Sequence, residues 1–312
     1  PSNARLYLLD KMKFVGRLPG HQQALENVFQ WIEASLKANG DGGSAAYYTL
    51  GRGWKASYPE TTGYLIPTLY EYADYSGSEK WSELARSAGE WLLSIQFENG
   101  AWQGGQTDSG IGPRVFNTAM ILDGMVECCE REGDDRYLKS GERGVHWLLD
   151  QTNSEGLFVH NNVSGGGSFD LLSLACMARV IQHLDKKEEL FDRIRPLIDA
   201  HIQFQTENHW WRNCNFEGSF KDTALLHHLG YTLDGLVILS EIMGESRYFD
   251  TAYRSARKLM SLFEVNGTLP AYSRSDWTYF QDLGGDHSYC LTGYSQLAIV
   301  FLKIARIRGD QR

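Results

Sequence analysis

The chain lacks the cysteine content of a disulfide framework. It has five cysteines, an odd total, and two of them, Cys128 and Cys129, are adjacent. Cys128, Cys129 and Cys176 lie in apolar stretches, where an unpaired cysteine behaves as a small core residue. This pattern argues against a disulfide-rich secreted scaffold. It favours a reducing compartment and leaves the localisation open.

Long apolar runs and runs of Lys or Arg are also missing. No segment is long and apolar enough to cross a membrane, and no basic face of the kind that binds nucleic acid is visible. The net charge of −9 at pH 7 also argues against a nucleic-acid partner. We therefore expect no membrane span and no nucleic-acid partner. An anionic ligand remains compatible with this charge, because net charge says little about a single pocket.

What the chain does contain is a helical repeat. Three segments, at 81–93, 137–149 and 248–260, place an aromatic residue first, small residues in the middle and an apolar cluster last. Two more divergent copies lie at 21–36 and 190–204. This spacing predicts five amphipathic helices.

Each copy is followed by a second, more apolar helix with small residues near its start. The predicted bounds of these second helices are 60–75, 116–130, 169–184, 223–243 and 288–307. The pairs recur about every 55 residues, a typical length for a hairpin repeat with elaborated loops. Paired helices of unequal apolarity predict an inner and an outer layer, so the expected fold is an all-α, α/α toroid of five or six hairpins. We expect it to form one domain over residues 1–312. An open solenoid, the rival arrangement, would make the paired helices more alike.

The loops of this ring are unequal in length, and the longer ones indicate where function lies. Connections from inner to outer helices are short and polar, whereas those from outer to inner helices are about 14–21 residues, longer than structure alone requires. All of the long loops fall at one end of the ring. Long loops on a rigid scaffold commonly carry binding and catalysis.

The first long loop, residues 47–64, is dense in aromatic side chains and ends at a carboxylate. Glu60 follows Pro59 at a helix start and is a candidate catalytic acid, although a carboxylate there also simply complements the helix dipole. The expected substrate contacts in this segment are Tyr48, Arg52, Trp54, Tyr58 and Tyr64.

Other candidate catalytic groups lie on later loops. Asp170 is interpreted either as a carboxylate at a helix N-terminus or as an acid or base. His227 is a candidate acid or base, and because it adjoins His228 on a helix, at most one of the two is expected in the pocket. Asp282 and Asp286 are candidate partners for Glu60, since ring closure would bring the first and last hairpins together. Two facing carboxylates are what glycoside hydrolysis needs.

Further substrate contacts are expected where aromatic, basic or amide side chains cluster in the later loops. These residues are Trp102, Arg114, Asn117, His160, Trp210, Trp211, Tyr231, Trp277, His287 and Tyr294. Neither CxxC nor HExxH spacing occurs, so we expect no metal site and no cofactor.

Two resemblances bear on the fold and the function. The segment Gln96-Phe-Glu-Asn-Gly-Ala-Trp102, with weaker copies at 151–158 and 205–210, resembles the repeat of squalene-cyclase and protein-prenyltransferase toroids. Asp286-His-Ser-Tyr-Cys-Leu-Thr-Gly293-Tyr resembles the start of their inner helices. The acidic DxDD motif of the cyclases and the complete zinc set of the prenyltransferases are absent.

The segment 51–67, Gly-Arg-Gly-Trp-Lys-Ala-Ser-Tyr-Pro-Glu-Thr-Thr-Gly-Tyr-Leu-Ile-Pro, is similar to bacterial toroid proteins associated with exopolysaccharide and capsule genes. This resemblance implies a glycan substrate, either neutral or anionic. The leading hypothesis is a glycoside hydrolase acting on a bacterial polysaccharide or oligosaccharide, followed by a polysaccharide lyase. A terpenoid-cyclase-like enzyme and a non-catalytic glycan-binding or assembly protein are also compatible with these residues. The oligomeric state is not predicted.

Overall fold

The computed structural model describes residues 8, 19–162, 166–216, 222–280 and 289–309. Three predicted site residues, Asp282, Asp286 and His287, lie outside these ranges. Within them the chain forms ten named helices: α1 His21–Lys37, α2 Pro59–Ser76, α3 Glu79–Ser94, α4 Val115–Glu132, α5 Asp135–Leu149, α6 Asp170–Ile181, α7 Lys187–Ile202, α8 Leu226–Met243, α9 Ser246–Asn266 and α10 Leu291–Arg308. None of the described helices is both long enough and apolar enough to span a bilayer.

The helices form the two layers that the sequence predicts. Helices α2, α4, α6, α8 and α10 pack side by side in that order, and α3, α5, α7 and α9 each pack outside one of them. All five inner helices contribute to the lining of a central lumen. Of the inner helices, α4, α6 and α8 are the most completely buried, which explains their apolar sequences, whereas α10 buries only one face.

Two short antiparallel ribbons accompany the helices. Strands β1 (Tyr48–Thr49) and β2 (Gly53–Trp54) pair within the first long loop, and β3 (Thr223–Leu225) pairs with β4 (Tyr272–Arg274). The sequence placed 223–225 inside a helix, which is wrong. The three residues are all buried, which made them resemble the start of the following helix, but their backbone pairs with the loop that follows α9.

Two of the short connections end their inner helices in the same way. Gly77 after α2 and Gly133 after α4 both adopt φ of 66°, and each amide closes the last turn onto a carbonyl four residues earlier. A left-handed residue at this position suits glycine. These turns keep one end of the ring compact.

The recurring glutamine at the start of the long loops fastens neighbouring hairpins together. The Gln96 amide donates to the carbonyl oxygens of Gly100 and Ser140, both at 2.9 Å. The Gln205 amide donates to the Thr251 carbonyl and to Ser255 Oγ, both at 3.0 Å. In both cases the glutamine ties its own loop to the next outer helix. The repeated motif is therefore a structural element of the toroid.

The predicted small residues do let the inner helices approach closely. A Cβ added to Gly63 on α2 would lie 2.7 Å from Ile121 Cα on α4. A Cβ on Gly293 of α10 would lie 2.9 Å from the His227 amide nitrogen on α8. Backbone atoms at these distances leave no room for a side chain.

Replacing Gly235 on α8 with alanine is expected to destabilise the protein by about 1–3 kcal/mol. The new Cβ would lie 2.5 Å from the Leu171 carbonyl group, and a backbone obstacle cannot rotate away. This clash outweighs the gain of about 1 kcal/mol in helix propensity. Urea unfolding of Gly235→Ala measures it. The control is Gly112→Ala, where the added Cβ meets nothing within 4 Å and φ is not positive. Equal stabilities of the two variants would contradict the prediction.

Candidate functional site

A cavity of about 200 Å³ lies at the end of the lumen where the inner helices begin. Most of its lining comes from the first turns of α2, α4 and α8 and from the residue preceding α6. The lining residues are Tyr58, Glu60, Phe116, Asn117, Asn162, Phe169, Phe216, His227, His228 and Tyr231. The start of the inner helices is the end at which the long loops were expected to carry function.

Glu60 is the carboxylate among the described lining residues. Its Oε2 accepts hydrogen bonds from Tyr58 Oη at 3.0 Å and from Asn117 Nδ2 at 2.5 Å. Asn117 Nδ2 also lies 3.1 Å from Tyr58 Oη, so the three side chains form a closed triangle. Both donors meet Oε2, which leaves Oε1 as the position for a proton.

The environment of Glu60 favours its protonated form. Burial raises the pKa of Glu60 to about 7, and the hydrogen bonds from Tyr58 and Asn117 offset only part of that shift. Burial also raises the pKa of Tyr58 to about 12, with the Glu60 charge adding to the effect. A carboxyl group with this pKa holds a proton near neutral pH and can still release it, as a general acid must.

A second group of titratable side chains faces the same cavity from α8. The ring centroids of His227 and Tyr231 lie 4.4 Å apart, and His228 packs against Phe169 at 4.3 Å and Phe216 at 4.4 Å. The prediction that only one of the adjacent histidines reaches the pocket is wrong. The cavity wraps around the first turn of α8 and contacts two of its faces.

Burial sets the protonation of this group. It lowers the pKa of His227, lowers the pKa of His228 to about 3, and raises the pKa of Tyr231 to about 12. At neutral pH both imidazoles are therefore neutral and the phenol is protonated. A neutral imidazole is able to accept a proton, and the phenol is able to donate one.

Asp170 does not line the cavity. It is completely buried and accepts hydrogen bonds from Asn162 Nδ2 and from the Gly167 amide, both at 2.9 Å. His201, also fully buried, lies 3.9 Å away. Burial raises the pKa of Asp170 to about 7 and lowers the pKa of His201 to about 4. Because Asn162 lines the cavity and Asp170 stands behind it, the structure gives Asp170 a supporting position rather than the catalytic one expected.

The tryptophans expected to stack on substrate are packed inside the wall. Trp102 and Trp211 have no exposed surface, and Trp210 and Trp277 are nearly as deeply buried. The indole nitrogen of Trp102 donates to the Leu92 carbonyl, and that of Trp211 donates to Ser255 Oγ. The expectation that these four side chains meet substrate is therefore wrong, because all four are buried within the wall of the toroid.

The remaining predicted contacts also lie outside the cavity lining. The half-buried Trp54 packs against two exposed aromatic side chains, Tyr48 and Trp31 of α1, at centroid distances of 5.2 Å and 4.6 Å. Arg52 and His160 are exposed, and Arg114 is half-buried with Nη1 donating to the Pro113 carbonyl. The Tyr294 hydroxyl is hydrogen-bonded to the backbone of Leu269.

The structure therefore brings together five of the predicted residues at one cavity: Tyr58, Glu60, Asn117, His227 and Tyr231. Tyr64 lies one turn deeper, beneath this group. The sequence did not single out Phe116, Phe169 or Phe216. The sequence signal that could have indicated these residues is their position, which is at the start of an inner helix, just before one, or on a long loop. Across the described ranges, no group of three or more His, Cys, Asp or Glu side chains is arranged to hold a metal ion.

Comparison with solved structures identifies the fold. An unsaturated glucuronyl hydrolase responsible for the degradation of glycosaminoglycan, from Bacillus sp. GL1, matches with a TM-score of 0.68 and 15% identity, covering 91% of this chain and 78% of the other. Cellobiose 2-epimerase from Spirochaeta thermophila DSM 6192 matches with a TM-score of 0.66 and 13% identity, covering 93% and 81%. A GH76 α-mannanase of Bacteroides thetaiotaomicron matches with a TM-score of 0.64 and 13% identity, covering 93% and 81%.

The chain thus has the α/α-toroid fold of these carbohydrate-processing enzymes, as the sequence predicted. Its sequence matches no protein-family model and no curated relative. At such low identities the likeness concerns the fold, and function has to be argued from the site itself.

Proposed function

We propose that the protein is a carbohydrate-active enzyme, a glycoside hydrolase in which Glu60 is the general acid. The observation that carries this proposal is the burial of the Glu60 carboxyl in the cavity wall, which raises its pKa to about 7. Glycoside hydrolysis requires such an acid to protonate the leaving oxygen. The second carboxylate of the reaction is proposed to come from Asp282 or Asp286, outside the described residues.

The proposed substrate is a bacterial polysaccharide or oligosaccharide. Three features support it: the resemblance of 51–67 to toroid proteins associated with exopolysaccharide and capsule genes, the aromatic lining of the cavity, and the toroid neighbours named for glycan-processing activities. The first turns of three inner helices meet at the cavity, and their amide dipoles favour an anionic group on the sugar.

Incubation with a panel of neutral and uronate-containing polysaccharides tests the proposal. New reducing ends are assayed together with the ultraviolet absorbance of an unsaturated product. Reducing ends without absorbance support hydrolysis. The absence of both across the panel would favour a non-catalytic glycan-binding protein.

The activity is expected to fall as pH rises through about 7, the pKa to which burial raises Glu60. The general acid works only while protonated, so kcat/KM should drop about tenfold per pH unit above that point. A profile of kcat/KM from pH 5 to 9 measures this. A rate that stays constant between pH 7 and 9 would remove Glu60 from the role of acid.

A polysaccharide lyase is the second candidate, favoured by the pairing of His227 with Tyr231. Their rings are 4.4 Å apart in the same cavity, one neutral and able to accept a proton and the other protonated and able to donate. Beta-elimination from a uronate needs such a base and acid, with Asn117 and Asn162 as amides for the carboxylate. Reducing ends that appear together with ultraviolet absorbance would support a lyase.

A further inference from the structure

A second cavity, of about 230 Å³, lies deeper in the lumen. It is lined by all five inner helices, with Tyr64 from α2, Arg179 from α6 and Lys303 from α10 among its residues. Tyr231 is the one described residue that lines both this cavity and the one at Glu60. The boundary between the two spaces is therefore built around Tyr231.

Two tyrosines form this boundary. Tyr64 and Tyr231 reach towards each other from α2 and α8, and their hydroxyl oxygens are 3.1 Å apart. Tyr64 lies one helical turn after Glu60, and Tyr231 lies one turn after His227, so the pair sits directly beneath the titratable groups. The Phe116 ring packs on Tyr231 with centroids 5.2 Å apart and holds it in place. We call Tyr64 and Tyr231 the tyrosine floor.

We infer that the tyrosine floor restricts the upper cavity to a single sugar ring, so that the enzyme acts on the end of a glycan chain. This inference rests on the proposed hydrolase function. The upper cavity, about 200 Å³, is smaller than the roughly 300–1,000 Å³ of sites for drug-sized ligands and suits one ring. With Glu60 at its wall and the floor below, a chain enters only with its terminal residue. Cleavage at Glu60 then releases one sugar at a time.

The space under the floor has the chemistry to hold a second sugar if the floor is removed. Asp123 pairs with Arg179, and Asp234 pairs with Lys303 at 2.6 Å, so acidic and basic side chains alternate on successive inner helices. The Gln296 amide also lines this cavity. Together these groups offer hydrogen-bond donors and acceptors of the kinds that sugar hydroxyl groups can use.

The test follows the size of the product. A tetrasaccharide of the glycan that responds in the panel is digested, and all of its products are separated by chain length. The wild-type protein should release monosaccharide first. Tyr231→Ala and, from the opposite side, Tyr64→Ala should raise the initial ratio of disaccharide to monosaccharide at least tenfold. The matched controls Tyr231→Phe and Tyr64→Phe keep the rings and should keep monosaccharide as the first product.

The outcomes distinguish failure of this inference from failure of the proposed hydrolase function on which it rests. Release of mixed internal fragments by the wild-type protein overturns the floor inference while leaving a hydrolase. Continued release of monosaccharide alone by folded Tyr231→Ala or Tyr64→Ala overturns it as well, with folding checked by circular dichroism. Absence of cleavage of any glycan overturns the hydrolase proposal and this inference with it.

Discussion

Replacing Glu60 with glutamine is expected to lower kcat/KM by about 10²–10⁴-fold, the contribution of a positioned general acid. Glutamine matches the side chain in shape, and its carbonyl oxygen can still accept the hydrogen bonds from Tyr58 and Asn117. What it removes is the proton on Oε1. The measurement is initial velocity on the glycan identified in the panel, at pH 6, where the wild-type carboxyl is protonated.

The matched control is Glu71→Gln, which removes an exposed carboxylate from the same helix. It should cleave at close to the wild-type rate. A variant Glu60→Gln that also keeps the wild-type rate would contradict the assignment of Glu60. If instead Glu60→Gln stayed active, His227→Gln lost activity, and the wild-type product absorbed ultraviolet light, the lyase mechanism would replace the hydrolase mechanism.

The fold was predictable because every hairpin repeats the same pattern of buried and exposed residues. An outer helix such as α3 buries one face, with Trp81 and Leu92 directed inwards, and an inner helix such as α4 is buried almost throughout. Those two patterns differ in periodicity and are visible in one sequence. The strand at Thr223–Leu225 was missed because its pairing partner lies beyond α9, and local patterns carry no information about distant pairing.

The site was predictable only where polar residues sit at helix starts. Glu60, Asn117 and His227 occupy early positions on α2, α4 and α8, and a ring geometry brings those positions together. Phe116 and Phe169 occupy similar positions, but an apolar ring there looks the same as a core residue. The opposite error arose with Trp102 and Trp211, because a loop tryptophan has the same sequence signature whether it stacks on a ligand or fills the wall.

The free energy of unfolding of the wild-type protein should fall relative to that of Glu60→Gln as pH rises. Burial raises the pKa of folded Glu60 to about 7 from its ordinary value of 4.5. The unfolded chain ionises near the ordinary value, while the folded protein must keep the proton or bury a charge. The stability from this group is therefore complete below about pH 4.5 and is lost as pH rises through about 7.

By pH 8 the Glu60→Gln variant should be more stable than the wild-type protein by up to about 3 kcal/mol, and near pH 4 this difference should vanish. Asp170 and His201 titrate in both proteins, so their contributions cancel in the comparison. Urea unfolding of both proteins at several pH values measures the difference. A pH-independent difference would mean that the Glu60 carboxyl titrates normally. A difference that grows with pH would show that the buried Glu60 carboxyl lowers the stability of the folded protein. This is the pattern expected where a functional group opposes folding.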